Sequence, residues 1–327
     1  MTPPLVGLRE IRQAAKRISG VAIRTPLLPS TALSEETGAE VRLKCESLQQ
    51  AGSFKIRGAY NYVSHLSDEQ RAPGIITYSS GNHAQAVALA AKLNGIRAVV
   101  VMPTDAPDVK RRGAERLGAE VVFEGTTSLE RKARAETIAE AEGLHVVPPF
   151  DHPYIIAGQG TTGLEIMTDW PEADTVFVPI GGGGLVSGVA AAVRELKPDA
   201  LIFGVEPRGA AAMKAALDAG HPVTLDGTDT IADGLKPVRS GDLTFEHVRA
   251  LVDDVVVVED PQIREAASLL LATSKLVVEF SGAATVAAVR SGVVPLAGRH
   301  VVAVLSGGNL DPLILEELAR GESDTAV

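Results

Sequence analysis

Short apolar runs, each followed by a turn and then by a helical pattern, recur along most of this chain. Several runs are apolar at consecutive positions, which is typical of strands that are covered on both faces in a parallel sheet. The repeated order of strand, turn and helix predicts an α/β fold with two open, mostly parallel sheets. The predicted strands are residues 41–45, 75–78, 98–101, 120–123, 144–147, 176–180, 202–205, 255–258 and 301–305.

Helices are predicted between these strands from apolar residues spaced three or four positions apart. A segment with three prolines, Pro148, Pro149 and Pro153, interrupts the pattern midway. Prolines in this density break regular structure, so we expect the chain to pass there from one sheet to the other. The clearest helical patterns are residues 7–19, 60–66, 84–94, 109–117 and 129–142.

Composition restricts the class of protein. The 327 residues are 45% hydrophobic, which is enough for a large core. The net charge of −10 argues against nucleic acid or an anionic membrane as the main partner. The single cysteine, Cys45, allows no intrachain disulfide and no zinc site made of cysteines. No signal peptide and no apolar run of about 20 residues is present, so we expect a cytoplasmic protein.

Four consecutive glycines, Gly181 to Gly184, follow a predicted strand and precede a helix. Main-chain N–H groups can converge on an anion at such a place, and the start of the helix adds partial positive charge. The spacing matches neither the dinucleotide fingerprint nor the P-loop, which leaves a cofactor with one phosphate. The alternative is a glycine-rich connection that packs tightly against a neighbouring element.

Lys55 lies between two glycines and close to a second cation, Arg57. We expect burial and the charge of Arg57 to lower the pKa of Lys55. A neutral amine can attack an aldehyde carbon, which is the first step of Schiff-base chemistry. The alternative is a pair of solvated charges beside a turn.

Two further turns carry polar groups. Residues 79–83, Ser-Ser-Gly-Asn-His, suit a small carboxylate, and Asn82 could reach a phenolic oxygen. Ser306, at the end of the last predicted strand, could hydrogen-bond a ring nitrogen. The alternatives are serine caps of the following helices and a packed His83.

Six segments together resemble fold type II pyridoxal-phosphate enzymes, in particular the branch of threonine and serine dehydratases and serine racemases. The resemblance covers nearly the whole chain and implies a cofactor bound between two domains. It implies a large domain of residues 1–69 and 149–327 and a smaller inserted α/β domain of residues 70–148. The segments are GSFKIRGA (52–59), SSGNHAQ (79–85), IAGQGT (156–161), PIGGGGL (179–185), IADG (231–234) and SGGN (306–309).

The resemblance also implies a role for each matching residue. Lys55 would carry pyridoxal 5′-phosphate and act as the base at the substrate Cα. Phe54 would pack against the cofactor ring, Asn82 would hydrogen-bond its 3′-hydroxyl, and Ser306 would face its ring nitrogen. The residues implied for the phosphate are Gly181, Gly182, Gly183, Gly184 and Leu185. Those implied for the substrate carboxylate are Ser79, Ser80, Gly81, Asn82 and His83.

The implied activity is an ammonia-lyase that eliminates the β-hydroxyl of L-threonine, L-serine or a related amino acid such as hydroxyaspartate. The products would be a 2-oxo acid and ammonia, and the enzyme would be a homodimer. Ser80 leaves a racemase open, because a hydroxyl on the far face of the cofactor could return a proton to Cα. A binding protein without catalysis is a third hypothesis.

A cation site is a further expectation. Glu206, in the segment Val205-Glu206-Pro207, resembles the start of the metal site of some relatives, with Ala210 as a second contributor. Those relatives have an acidic residue six positions after the glutamate, where this chain has Ala212. We therefore expect a weakened divalent site, a monovalent site built on carbonyls, or none.

Overall fold

A computed structural model describes residues 4–79, 81–106 and 108–320. The larger of its two sheets has the strand order β1-β2-β10-β7-β8-β9. All neighbours in this sheet are parallel except β1, which pairs with β2 in the antiparallel direction. Its strands are β1 (Leu27–Pro29), β2 (Glu40–Lys44), β7 (Thr175–Pro179), β8 (Leu201–Pro207), β9 (Asp254–Val258) and β10 (His300–Val304).

The smaller sheet has four parallel strands in the order β5-β4-β3-β6. They are β3 (Ile75–Tyr78), β4 (Ala98–Met102), β5 (Glu120–Phe123) and β6 (His145–Val146). All four lie between residues 70 and 148, and the strands of the larger sheet lie on either side of that segment in the sequence. This strand pairing supports the proposed division into an inserted domain and a larger domain.

Helices connect the strands and cover both sheets. They are α1 (Leu8–Arg17), α2 (Thr31–Thr37), α3 (Lys55–Val63), α4 (Asp68–Arg71), α5 (Asn82–Asn94), α6 (Asp108–Arg116), α7 (Ser128–Glu142), α8 (Pro153–Asp169), α9 (Gly184–Leu196), α10 (Ala212–Ala219), α11 (Asp242–Leu251), α12 (Asp260–Leu269), α13 (Phe280–Arg290) and α14 (Pro312–Arg320). Short 3₁₀ turns occupy Glu46–Leu48, Gln50–Gly52, Arg208–Ala210 and Asp233–Leu235, and a π-helical turn, Leu270–Ser274, follows α12. None of the helices within the described ranges is long and apolar enough to cross a membrane.

The α/β fold with parallel sheets is confirmed, and each predicted strand is present to within one or two residues. Strand β7 shows why these strands lack alternation. Phe177 packs into the hydrophobic cluster on one face of the sheet, and Val176 and Val178 pack into the cluster on the other. The edge strand β1 was not predicted, because its three residues end in a proline and are only partly buried.

The sheet geometry brings the predicted turns together. Strands β7 and β10 are parallel neighbours, so their carboxyl ends lie at the same edge of the larger sheet. The four glycines follow β7, and Ser306 follows β10. Helix α3 begins at Lys55, five residues earlier than predicted, and places the lysine in its first turn.

Candidate active site

A cavity of about 640 Å³ lies where these turns meet. Residues of both sheets line it. The predicted site residues among them are Phe54, Lys55, Ser79, Asn82, His83, Gly181, Gly182, Gly183, Gly184, Leu185 and Ser306. Gly81 is buried and does not line the cavity, and Ser80 lies outside the described residues. One cavity therefore collects nearly all the residues that the sequence singled out.

Lys55 is a buried residue of the cavity wall. Its Nζ donates a hydrogen bond to the carbonyl oxygen of Pro149 at 3.0 Å and lies 5.2 Å from the centre of the Phe54 ring. Burial lowers the pKa of Lys55 to about 8, against an opposing effect of the Glu279 carboxylate. The neutral fraction of this amine therefore reaches about half at a pH of about 8, far below the pH at which an ordinary lysine reaches it.

The expected contribution of Arg57 to this pKa is wrong. The buried Arg57 guanidinium donates two hydrogen bonds to Glu46, both at 2.8 Å, and two to Glu165, at 2.7 and 2.9 Å. Lys44 also donates to Glu165, at 2.6 Å. The charge of Arg57 is thus neutralised locally, and the pKa of Lys55 falls because of its own burial.

The glycine segment forms an open cradle of main-chain N–H groups. In the described part of the chain, the N–H groups of Gly182, Gly183, Gly184 and Leu185 donate no hydrogen bond. Gly183 has a φ of +95°, a conformation that favours glycine, and caps α9. A side chain at Gly182 would collide with the Phe150 ring, with a Cβ only 2.2 Å from the nearest ring atom. Such a cradle fits a phosphate group.

The turn after β3 is organised around Asn82. The Asn82 Oδ1 accepts a hydrogen bond from Asn309 at 3.0 Å, and its Nδ2 donates to Glu279. His83 lies beside it with Nε2 3.4 Å from the Val147 carbonyl oxygen. Burial, together with the charge of Lys55, lowers the pKa of His83 to about 3. His83 is therefore neutral, and it can contact a carboxylate only as a hydrogen-bond donor.

Ser306 also lines the cavity, and hydrogen bonds fix its position. Its carbonyl oxygen accepts the N–H of Phe54 at 3.1 Å, and its Oγ lies 3.5 Å from the Ser281 carbonyl oxygen. The hydroxyl of Ser281 accepts the N–H of Gly234 at 2.8 Å. Ser306 is thus fixed beside the lysine segment.

Sequence reasoning missed an ion-pair cluster beside this cavity, which consists of Lys110, Asp233 and Glu279. Lys110 Nζ lies 2.6 Å from Asp233 and 2.8 Å from Glu279. Asp233 belongs to the IADG segment, which marked its position but not its partner. Glu279 is a single charge within an otherwise apolar run, Leu276 to Phe280, and that is the signal that could have found it.

Glu206, the residue predicted to bind a cation, caps a helix in the structure. The two carboxylate oxygens of Glu206 accept the N–H groups of Met213 and Lys214, each at 2.8 Å, and so cap α10. Ala210 and Ala212 are buried beside it and bring no charged ligand. Across residues 4–79, 81–106 and 108–320, no group of three His, Cys, Asp or Glu side chains could hold a metal ion.

A buried lysine and an anion cradle that line one cavity between two α/β sheets define the class of enzyme. Comparison with known proteins gives the same class: the family model for pyridoxal-phosphate dependent enzymes matches residues 18–307. The chain belongs to this family, and its cofactor is pyridoxal phosphate.

Three similar proteins illustrate the relationship. L-threonine ammonia-lyase of Thermotoga maritima is 44% identical over 96% of this chain and 78% of that protein. L-threo-3-hydroxyaspartate ammonia-lyase of a Pseudomonas species is 41% identical over 97% of this chain and 99% of that protein. The structure of maize serine racemase has a TM-score of 0.92 and 40% identity, and the match covers 97% of this chain and 98% of that one.

Proposed function

We propose that this enzyme eliminates the β-hydroxyl group of a β-hydroxy-α-amino acid and releases a 2-oxo acid and ammonia. The observation that carries the proposal is the buried Lys55 amine, with a pKa of about 8, in the same cavity as the unpaired N–H groups of Gly182 to Leu185. The two ammonia-lyases, at 44% and 41% identity, support an elimination reaction.

The residues have separate tasks in this proposal. The glycine segment and Leu185 would hold the cofactor phosphate, Phe54 would pack on its ring, and Asn82 and Ser306 would hydrogen-bond its ring substituent and ring nitrogen. When bound, pyridoxal phosphate withdraws electrons from the substrate Cα and so acidifies the proton on that carbon. Lys55 Nζ would take this proton, and the turn of residues 79–83 would hold the substrate carboxylate.

Arg131 supports an acidic amino acid as the substrate. Its side chain lines the cavity from α7 and is only 7% exposed. Its Nε and Nη1 have no hydrogen-bond partner among the residues that the structure describes. The neighbouring Glu130 carboxylate is already occupied by the N–H groups of Thr126 and Thr127. The attraction of Asp105 and Glu130 only partly offsets the burial of this guanidinium, whose pKa is lowered. Buried N–H groups without an acceptor are costly, and a substrate carboxylate would supply one.

This arrangement provides two places for carboxylates on the smaller sheet. The turn after β3 would take the α-carboxylate, and Arg131 would take a carboxylate on the β-carbon. A substrate such as 3-hydroxyaspartate has both groups. L-Threonine and L-serine have only the first, so we expect a lower kcat/KM for them.

The test measures 2-oxo acid from L-threonine, L-serine and L-threo-3-hydroxyaspartate with the cofactor-loaded enzyme and its Arg131→Met variant. We expect the variant to lose about 100-fold in kcat/KM for hydroxyaspartate, because a buried charge-assisted pair is lost. The values for threonine and serine should change little.

An equal loss for all three substrates would assign Arg131 to the α-carboxylate. No oxo acid from any of them would refute the elimination reaction. Arg112→Met, on the exposed side of α6, is the matched control.

Racemisation is the second candidate, and the similarity to maize serine racemase supports it. The same incubations should be analysed for D-amino acids. Ser80→Ala should suppress any D-amino acid and leave elimination intact if Ser80 returns a proton from the far face. Equal loss of both products would assign Ser80 to carboxylate binding.

We further propose that the enzyme is a cytoplasmic homodimer. The single, buried Cys45 suits a reducing compartment, because no disulfide contributes to the fold. The dimer rests on the resemblance to the dehydratase and racemase branch. Sedimentation equilibrium tests it directly, and a monomer at micromolar concentration would refute it.

A further inference from the structure

Lys110 is a buried lysine that the proposed chemistry does not use, and both of its ion-pair partners line the cavity. It lies on α6, beside the smaller sheet, and is 2% exposed. Its ammonium group contacts Asp233 at 2.6 Å and Glu279 at 2.8 Å. Both carboxylates come from segments that pack with the larger sheet, and both line the cavity. Lys110 therefore connects the two halves of the cavity wall by ion pairs.

The stem of Lys110 also covers the turn proposed for the substrate carboxylate. A Cβ placed on Gly81 would lie 2.2 Å from Lys110 Cδ and 2.7 Å from its Cβ. Gly81 precedes Asn82, the first residue of α5, so the lysine stem lies directly on the main chain of this turn. A displacement of Lys110 would therefore release the turn.

Lys110 acts on Asn82 by a second route as well. Glu279 contacts Lys110 through one carboxylate oxygen and accepts the amide N–H of Asn82 through the other. Asn309 donates to the remaining oxygen of that amide at 3.0 Å. Hydrogen bonds therefore fix both the nitrogen and the oxygen of the Asn82 amide. Glu279, which binds the nitrogen, is itself paired with Lys110.

The electrostatics agree with this geometry. Burial alone would lower the pKa of Lys110, but Asp233 and Glu279 raise it above its ordinary value, so the ammonium form persists. Burial raises the pKa of Glu279, and Lys110 and the Asn82 hydrogen bond oppose that rise. Without Lys110, Glu279 would favour its protonated form and would hold Asn82 less firmly.

We propose that Lys110 is a positioning residue that holds the substrate turn and the Asn82 amide in their binding geometry by pairing with Asp233 and Glu279 beside the cavity. It contacts neither cofactor nor substrate in this role. The inference rests on the proposed function for its effect on catalysis, and on the ion pairs alone for its effect on the turn.

Two measurements test the proposal in cofactor-loaded protein. The first is amide hydrogen exchange of peptides that contain residues 81–85, which requires no substrate. The second is KM and kcat for the β-hydroxy amino acid with the highest turnover. For Lys110→Met, we expect exchange of this segment and KM each to increase about tenfold, which corresponds to the loss of an interaction of about 1.4 kcal/mol. The visible absorbance of the lysine-bound cofactor should remain, because Lys55 is intact.

Asp233→Asn is the second variant, because it removes one partner near the cavity surface and leaves Lys110 paired with Glu279. We expect a change in the same direction but smaller. The double variant should be no worse than Lys110→Met alone, since both changes break one connection. Lys92→Met, an exposed lysine on α5, is the matched control.

Exchange and KM within about twofold of the wild type in both variants would overturn the proposal, because a contact worth less than that has no positioning effect. A loss of thermal stability alone would also overturn it, by assigning Lys110 to packing. If Lys110→Met does not fold, Asp233→Asn decides by the same criteria. If the wild type acts on no β-hydroxy amino acid, the proposed function fails, and the exchange measurement still decides the role of Lys110.

Discussion

Asp151 accepts the main-chain N–H of Thr244 through Oδ1 at 3.0 Å. The same carboxylate accepts the N–H groups of Asp242 and Leu243, also at 3.0 Å, so it caps the start of α11. Thr244 in turn donates its hydroxyl to the carbonyl oxygen of Gly182 at 2.7 Å. Asp151, in the proline-rich segment between the sheets, thus positions Gly182 of the cradle indirectly, through Thr244.

Replacement of this carboxylate should weaken cofactor binding. In Asp151→Ala, three N–H groups at the start of α11 lose their acceptor, and we expect unfolding to become easier by about 1–2 kcal/mol. The cofactor Kd should increase, because Thr244 would no longer hold Gly182 in place. Thermal denaturation and cofactor titration measure the two effects. A change in stability with an unaltered Kd would show that the cap does not reach the cradle.

The pKa of Lys55 leads to a prediction about cofactor loading. Burial holds this pKa near 8, below the ordinary lysine value, so the reactive neutral amine increases as pH rises through about 8. The rate of reconstitution of the cofactor-free protein should therefore rise between pH 7 and pH 9, with a midpoint of about 8. The visible absorbance of the lysine-bound cofactor measures this rate. Lys55→Arg should show no such absorbance at any pH, and a midpoint near 10.5 in the wild type would contradict the burial argument.

Arg57 should affect stability without affecting that midpoint. Arg57→Met leaves Glu46 buried without its main partner, and breaking such a pair destabilises a protein by about 3–5 kcal/mol. The midpoint of loading should stay near 8, because Arg57 does not cause the low pKa of Lys55. Arg97→Met, which breaks exposed pairs with Glu120 and Glu142, is the control and should change stability little. A loading midpoint that moves upward in Arg57→Met would restore the sequence-based expectation.

Most of the fold follows from local sequence signals. Apolar runs predict strands buried on both faces, and parallel strands place the turns after β7 and β10 at one edge of the sheet. The resemblance of six segments to a known enzyme family, and not these local signals, assigned the glycines, Lys55, Asn82 and Ser306 to one site. The edge strand β1 lacks such a signal, because its residues are few and partly exposed.

Long-range pairing could not be predicted in the same way. Lys110 and Asp233 are 123 residues apart, and in the sequence Lys110 looks like one of several charges on the surface of α6. Arg57 looked like a free neighbour of Lys55, but Glu165, 108 residues away, neutralises it. Arg131 shows the reverse case, since only the fold reveals that this arginine is buried at the cavity with its Nε and Nη1 lacking hydrogen bonds to the described residues. The spacing of apolar residues predicts which positions are buried. The partner of a charged residue depends instead on which distant segments come together in the fold.

The glycine cradle provides the most direct test of the cofactor site. In Gly182→Ala, the added Cβ would lie 2.2 Å from the Phe150 ring, so the ring or the cradle must move. We expect the cofactor Kd to increase about 100-fold, because misplaced N–H groups lose their hydrogen bonds to the phosphate. Inorganic phosphate, which requires only the cradle, should also compete less well with the cofactor in this variant. Gly227→Ala is the matched control, since a Cβ there meets no atom within 4 Å and its residue also lines the cavity. Equal Kd values for the two variants would place the phosphate away from Gly182.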